Sequence, residues 1–208
     1  MSLPDVTIVL ITGANQGLGF ECVKKLAAEQ PNYHIILCSR NLVRGQETVK
    51  GIADFAKGTS IEALELDVDN DDSIANAANY VEQKFGKLDV LFNNAGISNI
   101  KGANFRESMN RVIETNTVSA ACVTEAFISL LKEAKVPRLL FMSSGLGSIT
   151  YALDPKFAWY SLENKPYLTS KAAMNMIGAQ YAVRYGKEGI KVNSHRSGFP
   201  SYQLEWLS

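Results

Sequence analysis

The chain has 208 residues, 46% hydrophobic and 20% charged, enough to bury one substantial core, so we predict a single domain over residues 1–208. Basic and acidic residues balance at 21 each, which argues against nucleic acid or a membrane as a partner. Three widely spaced cysteines and two histidines offer no metal-ligand cluster and indicate reduced thiols. With no signal-peptide pattern and no bilayer-spanning apolar stretch, we expect a cytoplasmic protein without a metal.

Short apolar runs alternate with longer helical patterns along almost the whole chain. The runs predict six strands, at Val6–Thr12, Tyr33–Ser39, Ile61–Leu66, Leu88–Phe92, Arg138–Ser143 and Ile190–Asn193. Helices are predicted at Gly17–Glu29, Leu42–Lys57, Asp72–Phe85, about Phe105–Lys132 and about Pro166–Tyr185. This alternation with short connections predicts an α/β fold, a doubly wound parallel sheet of about six strands with helices on both faces.

A glycine-rich turn joins the first strand to the first helix. Gly13, Gly17 and Gly19 would allow a tight turn and close approach of the backbone to phosphate oxygens. The helix N-terminus would add N–H donors and the positive end of a dipole. The spacing TGxxxGxG differs from GxGxxG, and a glycine-rich turn without a ligand is the alternative. In its strand–turn–helix context the turn predicts a dinucleotide site, and hence a Rossmann-type fold.

Four motifs in order carry a resemblance to a known family. They are Thr12–Gly19, Asn93–Gly96, Asn116, and Tyr167 with Lys171. Together they resemble the short-chain dehydrogenase/reductase family over Val6 to about Asn193, and four ordered motifs are far more specific than any one. Within the family, the sequence is most similar to the NADPH-dependent carbonyl reductases, a likeness that includes the run Ser39–Gln46.

The end of the second strand bears on which nicotinamide cofactor is bound. An acidic residue there would bind the ribose hydroxyls and repel a 2′-phosphate, and none is present. Arg40 offers a guanidinium suited to phosphate, although an exposed loop cation is the alternative. We therefore predict NADP(H), and the resemblance assigns the 2′-phosphate to Arg40 with Asn15 or Gln16 nearby. Arg44 is interpreted as a helix-surface residue.

The resemblance implies further cofactor contacts after the third and fourth strands. Asp67 would contact the adenine region, assisted by the backbone of Val68, although a capping or loop aspartate is equally compatible. Asn93 would steady the central sheet, and the backbone of Ala95 and Gly96 would lie against the cofactor. The predicted cofactor-binding residues are Gly13, Asn15, Gln16, Gly17, Leu18, Gly19, Arg40, Asp67, Val68, Asn94, Ala95, Gly96, Tyr167 and Lys171.

Tyr167 and Lys171 lie four residues apart in a helical pattern, so their side chains share one face. An ammonium beside a phenol lowers the pKa of the tyrosine from about 10, which would make Tyr167 a general acid for carbonyl reduction. Tyr80 and Lys84 have the same spacing. Because they lie in the helix before the fourth strand, we interpret them as a surface pair.

Two serines end the fifth strand, where a hydroxyl can stabilise negative charge on a substrate carbonyl oxygen. Ser144 is the better match to the family serine, and Ser143 is the alternative. Asn116 matches a family asparagine that distorts its helix and holds a water in a proton relay, the alternative being a mid-helix asparagine without a task. The resemblance thus implies catalysis by Asn116, Ser144, Tyr167 and Lys171, with hydride transfer from NADPH to a small ketone or aldehyde and, in reverse, from a secondary alcohol to NADP+.

The family pattern breaks after the sixth strand. Ser197 stands where a proline is expected, and we expect the C-terminal strand and lid to be missing. This break favours an alternative, a non-catalytic NADP(H)-binding or regulatory protein, and it leaves a homodimer open. His195 is interpreted as a loop histidine rather than an acid or ligand. The aromatic segment Gly145–Lys165 would either line a substrate pocket or pack onto the body.

Overall fold

The computed structural model describes residues 6–196, which contain a six-stranded parallel sheet. The strands are β1 (Thr7–Ile11), β2 (Tyr33–Ser39), β3 (Ser60–Glu65), β4 (Val90–Asn93), β5 (Arg138–Ser143) and β6 (Lys191–Arg196). The helices are α1 (Gly17–Glu29), α2 (Leu42–Lys50), α3 (Asp71–Phe85), α4 (Phe105–Ile113), α5 (Ser119–Lys132), α6 (Ile149–Ala152) and α7 (Lys165–Tyr185). A π-helical turn, Glu114–Val118, joins α4 to α5, and 3₁₀ turns lie at Gly145–Gly147 and Gly186–Glu188. The predicted α/β class and six-stranded parallel sheet are confirmed.

Helices cover both faces of the sheet, which explains why β1, β4 and most of β2 are unbroken apolar runs. Along β1, Val9 and Ile11 pack into a core formed with α1. Ile8 and Leu10 point to the opposite face, into a second core formed with α3, α5 and α7. All four side chains are buried. Every position of this strand therefore favours an apolar side chain.

Helix α2 is shorter than predicted, and the expected end at Lys57 is wrong. The helix ends at Lys50, and Ile52 then turns into the core beside α1. Ala56 donates its backbone N–H to the carbonyl of Ala27 at 2.6 Å. Residues 51–57 therefore cross the end of α1, because contacts with that helix replace the hydrogen bonds a longer α2 would make.

Strand β6 is longer than predicted. It pairs in parallel with β5 as far as Ser143 and Arg196, and His195 lies opposite Met142 in that ladder. The interpretation of His195 as a loop residue is therefore wrong, because the longer partner strand extends the pairing. The expected absence of a lid and last strand concerns residues 197–208, which lie outside the described part. Within residues 6–196, no helix has the length and apolarity to cross a membrane.

The strand order β3-β2-β1-β4-β5-β6 reverses direction between β1 and β4. These two strands are direct neighbours, with Ile11 opposite Phe92. Their following connections diverge to opposite sides, which opens a crevice at the carboxyl edge of the sheet. The glycine turn after β1 and the Asn94–Ser98 segment after β4 form its two sides.

Candidate active site

The glycine turn has the backbone shape that its sequence predicts. Gly13 and Gly17 both have φ of +61°, a left-handed conformation that favours glycine. A Cβ on Gly13 would lie 2.9 Å from the Cα of Ala95, so the turn touches the segment after β4 backbone to backbone. A Cβ on Gly19 would collide with the side-chain amide of Asn94. These glycines let two loops close on each other.

The N-terminus of α1 opens towards the crevice. Gln16 is its N-cap residue and forms no side-chain capping hydrogen bond, and the first turn carries no acidic side chain. The first N–H groups of a helix have no partner within the helix, and the helix dipole places positive charge at this end. An anionic group such as a pyrophosphate therefore fits this position.

Hydrogen bonds tie the loops after β1 and β4 together. The hydroxyl of Thr12 accepts the backbone N–H groups of Asn94 at 3.0 Å and Ala95 at 2.9 Å. The side-chain amide of Asn94 donates to the carbonyls of Thr12 at 2.8 Å and Gly13 at 3.2 Å. Asn93 donates to Thr124 at 2.9 Å, which links β4 to α5. Sequence reasoning missed the part played by Thr12, although its place directly before Gly13 was the available signal.

One cleft of about 460 Å³ brings most of the predicted cofactor residues together. Those that line it are Gly13, Asn15, Gln16, Gly17, Leu18, Arg40, Asp67, Val68, Asn94, Ala95, Gly96, Tyr167 and Lys171. Gly19 is buried under the turn and does not line the cleft. Further lining residues that the sequence did not indicate are Ser39, Asn41, Leu66, Arg44, Asp69, Ile97, Ser98, Thr115 and Met142.

Two arginines line the cleft where β2 is followed by α2. Arg40 and Arg44 are both exposed and line the cleft, and neither forms an ion pair within residues 6–196. Asn41 caps α2 by accepting the backbone N–H of Arg44 at 3.0 Å. Asn41 and Arg44 both line the cleft, so Arg44 belongs to the cleft as well as to the helix surface.

Lys171 is buried, with 3% of its surface exposed. Its Nζ donates to the carbonyl of Met142 at 2.6 Å and lies 5.6 Å from the ring centroid of Tyr167. Burial disfavours the charged ammonium and lowers the pKa of Lys171 to about 8. The predicted pairing of Tyr167 and Lys171 on one helical face is present in α7.

The pKa of Tyr167 departs from the expected direction. Burial of the phenol raises the pKa, and a side-chain hydrogen bond with Ser144 opposes that shift without cancelling it. The expectation that Lys171 lowers the pKa of Tyr167 in this structure is therefore wrong. The physical reason is that the ammonium binds the Met142 carbonyl, while burial of the phenol disfavours its charged form.

The two serines at the end of β5 have different surroundings. Ser144 lies close enough to Tyr167 to act on the pKa of the phenol, and it accepts the N–H of Leu146 at 3.2 Å. Ser143 is buried, with its hydroxyl donating to the side-chain oxygen of Asn175 at 2.6 Å. Ser144 therefore lies beside the phenol, whereas Ser143 is buried against α7.

Asn116 lies in the π-helical turn and is fully buried. Its side-chain oxygen accepts the N–H of Ile97 at 2.7 Å, and its amide donates to the carbonyl of Ile97 at 2.8 Å and to Ser170 at 2.9 Å. The distortion of the helix at this residue agrees with the expectation from the resemblance. Asn116 does not line the cleft; it connects the segment after β4 to α7.

The second tyrosine–lysine pair lies on the surface. In α3, the Nζ of Lys84 is 2.8 Å from the hydroxyl of Tyr80, and both side chains bind Glu62 of β3. Neither residue lines the cleft. Their interpretation as a surface pair is confirmed.

In the aromatic segment before α7, two rings pack on each other and two others are exposed. Tyr151 and Phe157 stack on each other with ring centroids 5.0 Å apart. Trp159 and Tyr160 remain 54% and 52% exposed. Asn164 then caps α7 by accepting the N–H of Tyr167 at 3.3 Å, and its amide donates to the carbonyl of Ser98 at 3.1 Å. The segment thus packs partly on itself and is tied to the loop after β4 just before Tyr167.

No group of three or more histidine, cysteine, aspartate or glutamate side chains in the described range could hold a metal ion.

Comparison with known proteins decides the family. Residues 7–203 match the family model described as short chain dehydrogenase, which covers nearly the whole chain. This chain belongs to the short-chain dehydrogenase family. The resemblance inferred from the four motifs is thereby confirmed. Family members are oxidoreductases that act on alcohol or carbonyl groups of small molecules with a nicotinamide cofactor, and this chain is one of them.

Relatives within the family cover most of the chain. A short-chain dehydrogenase of Penicillium roqueforti is 39% identical, over 92% of this chain and 78% of its own. The structure of the Sniffer protein of Caenorhabditis elegans aligns with a TM-score of 0.78 and 28% identity, over 94% of this chain and 86% of its own. NADPH-bound carbonyl reductase from chicken fatty liver aligns with a TM-score of 0.74 and 28% identity, over 92% and 75%.

Proposed function

We propose that this short-chain dehydrogenase reduces a ketone or aldehyde with NADPH, and by reversal oxidises a secondary alcohol. The observation that carries the proposal is the arrangement of Tyr167. Its phenol lies close enough to Ser144 for that hydroxyl to act on the pKa of the tyrosine, and Tyr167 shares one helix face with Lys171. The tyrosine and lysine open into the same cleft as the glycine turn. A proton donor, a hydroxyl that can bind the carbonyl oxygen of a substrate, and a cofactor site therefore lie close together.

The residues that line the cleft support nicotinamide adenine dinucleotide phosphate, NADP(H), as the cofactor. The uncapped N-terminus of α1 and the left-handed glycines suit a pyrophosphate. Arg40 and Arg44 supply two guanidinium groups without an acidic residue at the end of β2. Because guanidinium groups bind phosphate in a planar, charge-assisted geometry, the 2′-phosphate of NADP(H) suits this end. The chicken carbonyl reductase that aligns with this chain is NADPH-bound.

Each residue of the reaction centre has a proposed task. When bound, NADPH supplies the hydride. Tyr167 donates its proton to the carbonyl oxygen of the substrate, and Ser144 donates a hydrogen bond to that oxygen as negative charge develops. Lys171, with a pKa of about 8, is mostly protonated at neutral pH, so its ammonium can donate hydrogen bonds. We propose that it also binds the nicotinamide ribose.

Turnover by the full native chain tests the function. NADPH and NADH oxidation would be followed at 340 nm with a panel of ketones, aldehydes and quinones, with NADPH affinity measured by fluorescence titration. We expect faster oxidation of NADPH than of NADH with at least one carbonyl class. Tight NADPH binding without turnover on any member of the panel would favour the non-catalytic alternative.

Replacing Arg40 tests the cofactor preference. Arg40→Ala should lower kcat/KM for NADPH by about 10- to 100-fold, the range of one lost hydrogen bond to a charged group. It should leave kcat/KM for NADH nearly unchanged, since NADH has no 2′-phosphate. Arg106→Ala removes an exposed arginine outside the cleft and is the matched control. An equal loss with both cofactors would contradict the assignment of Arg40.

The serine pair gives a second comparison. Ser144→Ala removes the hydroxyl beside Tyr167, and kcat should fall by about 100-fold, as for the loss of one oxyanion donor. Ser143→Ala leaves the side-chain oxygen of Asn175 without its donor, and should lower the unfolding free energy by about 1–3 kcal/mol with a smaller effect on kcat. Steady-state kinetics and thermal unfolding of both variants check this. A larger kcat loss in Ser143→Ala would reverse the assignment.

A further inference from the structure

Asp69, in the connection between β3 and α3, accepts three side-chain donors from another part of the chain. Its Oδ2 accepts the hydroxyl of Thr115 at 2.9 Å and a longer bond from Arg111 at 3.4 Å. Its Oδ1 accepts the hydroxyl of Ser119 at 2.7 Å. Both carboxylate oxygens are therefore used by one helical segment, although Thr115 and Ser119 lie 46 and 50 residues away in sequence.

The donors lie at the two ends of the π-helical turn. Thr115 is the second residue of the turn, and Ser119 is the first residue of α5. Both are buried, whereas Arg111 is more than half exposed. A π-helical turn is rare, because its backbone pattern breaks the regular helix, and it persists where surrounding contacts hold it. The two hydroxyl bonds to Asp69 span the turn and are contacts of that kind.

The opposite side of the turn holds the reaction centre. The side chain of Asn116 binds both the backbone N–H and the carbonyl of Ile97, and it donates to the hydroxyl of Ser170. Thr117 donates its hydroxyl to the carbonyl of Ser170 at 2.9 Å. Ser170 lies in α7 between Tyr167 and Lys171. The turn therefore supports the part of α7 that carries these two reactive side chains.

We propose that Asp69 is a positioning residue for the reaction centre. By holding Thr115 and Ser119, it fixes the π-helical turn so that Asn116 and Thr117 keep α7 in place. The role in turnover rests on the proposed function. Asp69 also lines the cofactor cleft, so a role as a direct cofactor ligand is the competing explanation. Ser119 separates the two, because it binds Asp69 but does not line the cleft.

Kinetics of Asp69 variants form the first test. In Asp69→Ala we expect kcat to fall by about 10- to 100-fold, since displacing a reactive group by about 1 Å costs up to about 100-fold. The Kd for NADPH should stay within about threefold, because the cleft backbone is untouched. Asp69→Asn should recover most of kcat, since an amide can accept one hydroxyl and donate to the other. The control is Asp72→Asn, an exposed carboxylate in the first turn of α3.

Ser119→Ala is the second variant. It should lower kcat in the same direction as Asp69→Ala, and the double variant should lose less than the product of the two single losses, because both remove one interaction. A higher NADPH Kd with unchanged kcat in Asp69→Ala would overturn the positioning role and favour a cofactor ligand. A kcat loss in the double variant equal to the product of the two single losses would also contradict it. So would a kcat of Asp69→Asn as low as that of Asp69→Ala.

A readout without turnover separates this proposal from the proposed function. Amide hydrogen exchange of peptides covering Ile97 and residues 114–119 should accelerate in Asp69→Ala and stay near wild type in Asp72→Asn. If the wild-type chain reduces no carbonyl, the proposed function fails, but faster exchange would still support Asp69 as the anchor of the turn. Unchanged exchange in Asp69→Ala, with circular dichroism showing a folded chain, would refute that anchor.

Discussion

Tyr167→Phe is expected to lower kcat by about 100- to 10,000-fold, the usual contribution of a positioned general acid. The ring remains in place in α7 and only the hydroxyl near Ser144 is lost. NADPH affinity should therefore stay within a few fold, because most of the cleft is formed by the glycine turn and the ends of the strands. Steady-state kinetics and fluorescence titration measure the two quantities on the same preparation.

Tyr80→Phe is the matched control, since Tyr80 has the same spacing to a lysine but lies on the surface of α3. Its kcat should equal that of the wild type. A Tyr167→Phe enzyme that keeps most of its activity would remove Tyr167 from the proposed mechanism. A parallel loss in Tyr80→Phe would show that the effect comes from the fold rather than from proton transfer.

Gly147→Ala is expected to have the second large effect. A Cβ at this position would lie 2.6 Å from the carbonyl carbon of Lys171 and 2.9 Å from the backbone nitrogen of Ala172. Both are backbone atoms of α7, so no side-chain rotation relieves the clash. The 3₁₀ turn after Ser144 must move away from α7, which should cost about 1–3 kcal/mol of stability as overpacking.

The same movement separates Ser144 from Tyr167, so kcat should fall by about 100-fold, as for a misplacement of about 1 Å. Thermal unfolding and steady-state kinetics check both effects. Gly145→Ala lies in the same 3₁₀ turn, and its added Cβ would meet nothing within 4 Å. This control should keep the Tm of the wild type. A stable, fully active Gly147→Ala variant would contradict the close contact between the turn and α7.

Local sequence pattern was sufficient where an element carries its own end signals. The bounds of β2, β5 and α1 agree with the prediction. Helix α1 begins at the glycine turn and ends just before Pro31, and α3 ends at Gly86, whose φ of +67° suits glycine. Apolar runs buried on both faces identify strands in the same way, because every position has the same requirement. Such signals depend only on neighbouring residues.

Element ends without such signals were decided by distant segments. The pattern alone could not show that residues 51–57 would pack across α1, or that β6 would follow β5 as far as Arg196. The choice between Ser143 and Ser144 has the same origin. Both hydroxyls stand at one strand end, and only the packing of α7 gives one of them Asn175 and the other Tyr167.

The sequence by itself determined the α/β class, the family and the residue types of the proposed site, because periodicity and motif spacing are local properties of the chain. Only the tertiary structure decided how the charges and hydrogen bonds of that site are arranged. Burial lowers the pKa of Lys171 to about 8 and raises that of Tyr167. Asp69 meets the π-helical turn only in the folded chain. Desolvation and hydrogen bonding between distant segments depend on packing, which no spacing of residues encodes directly.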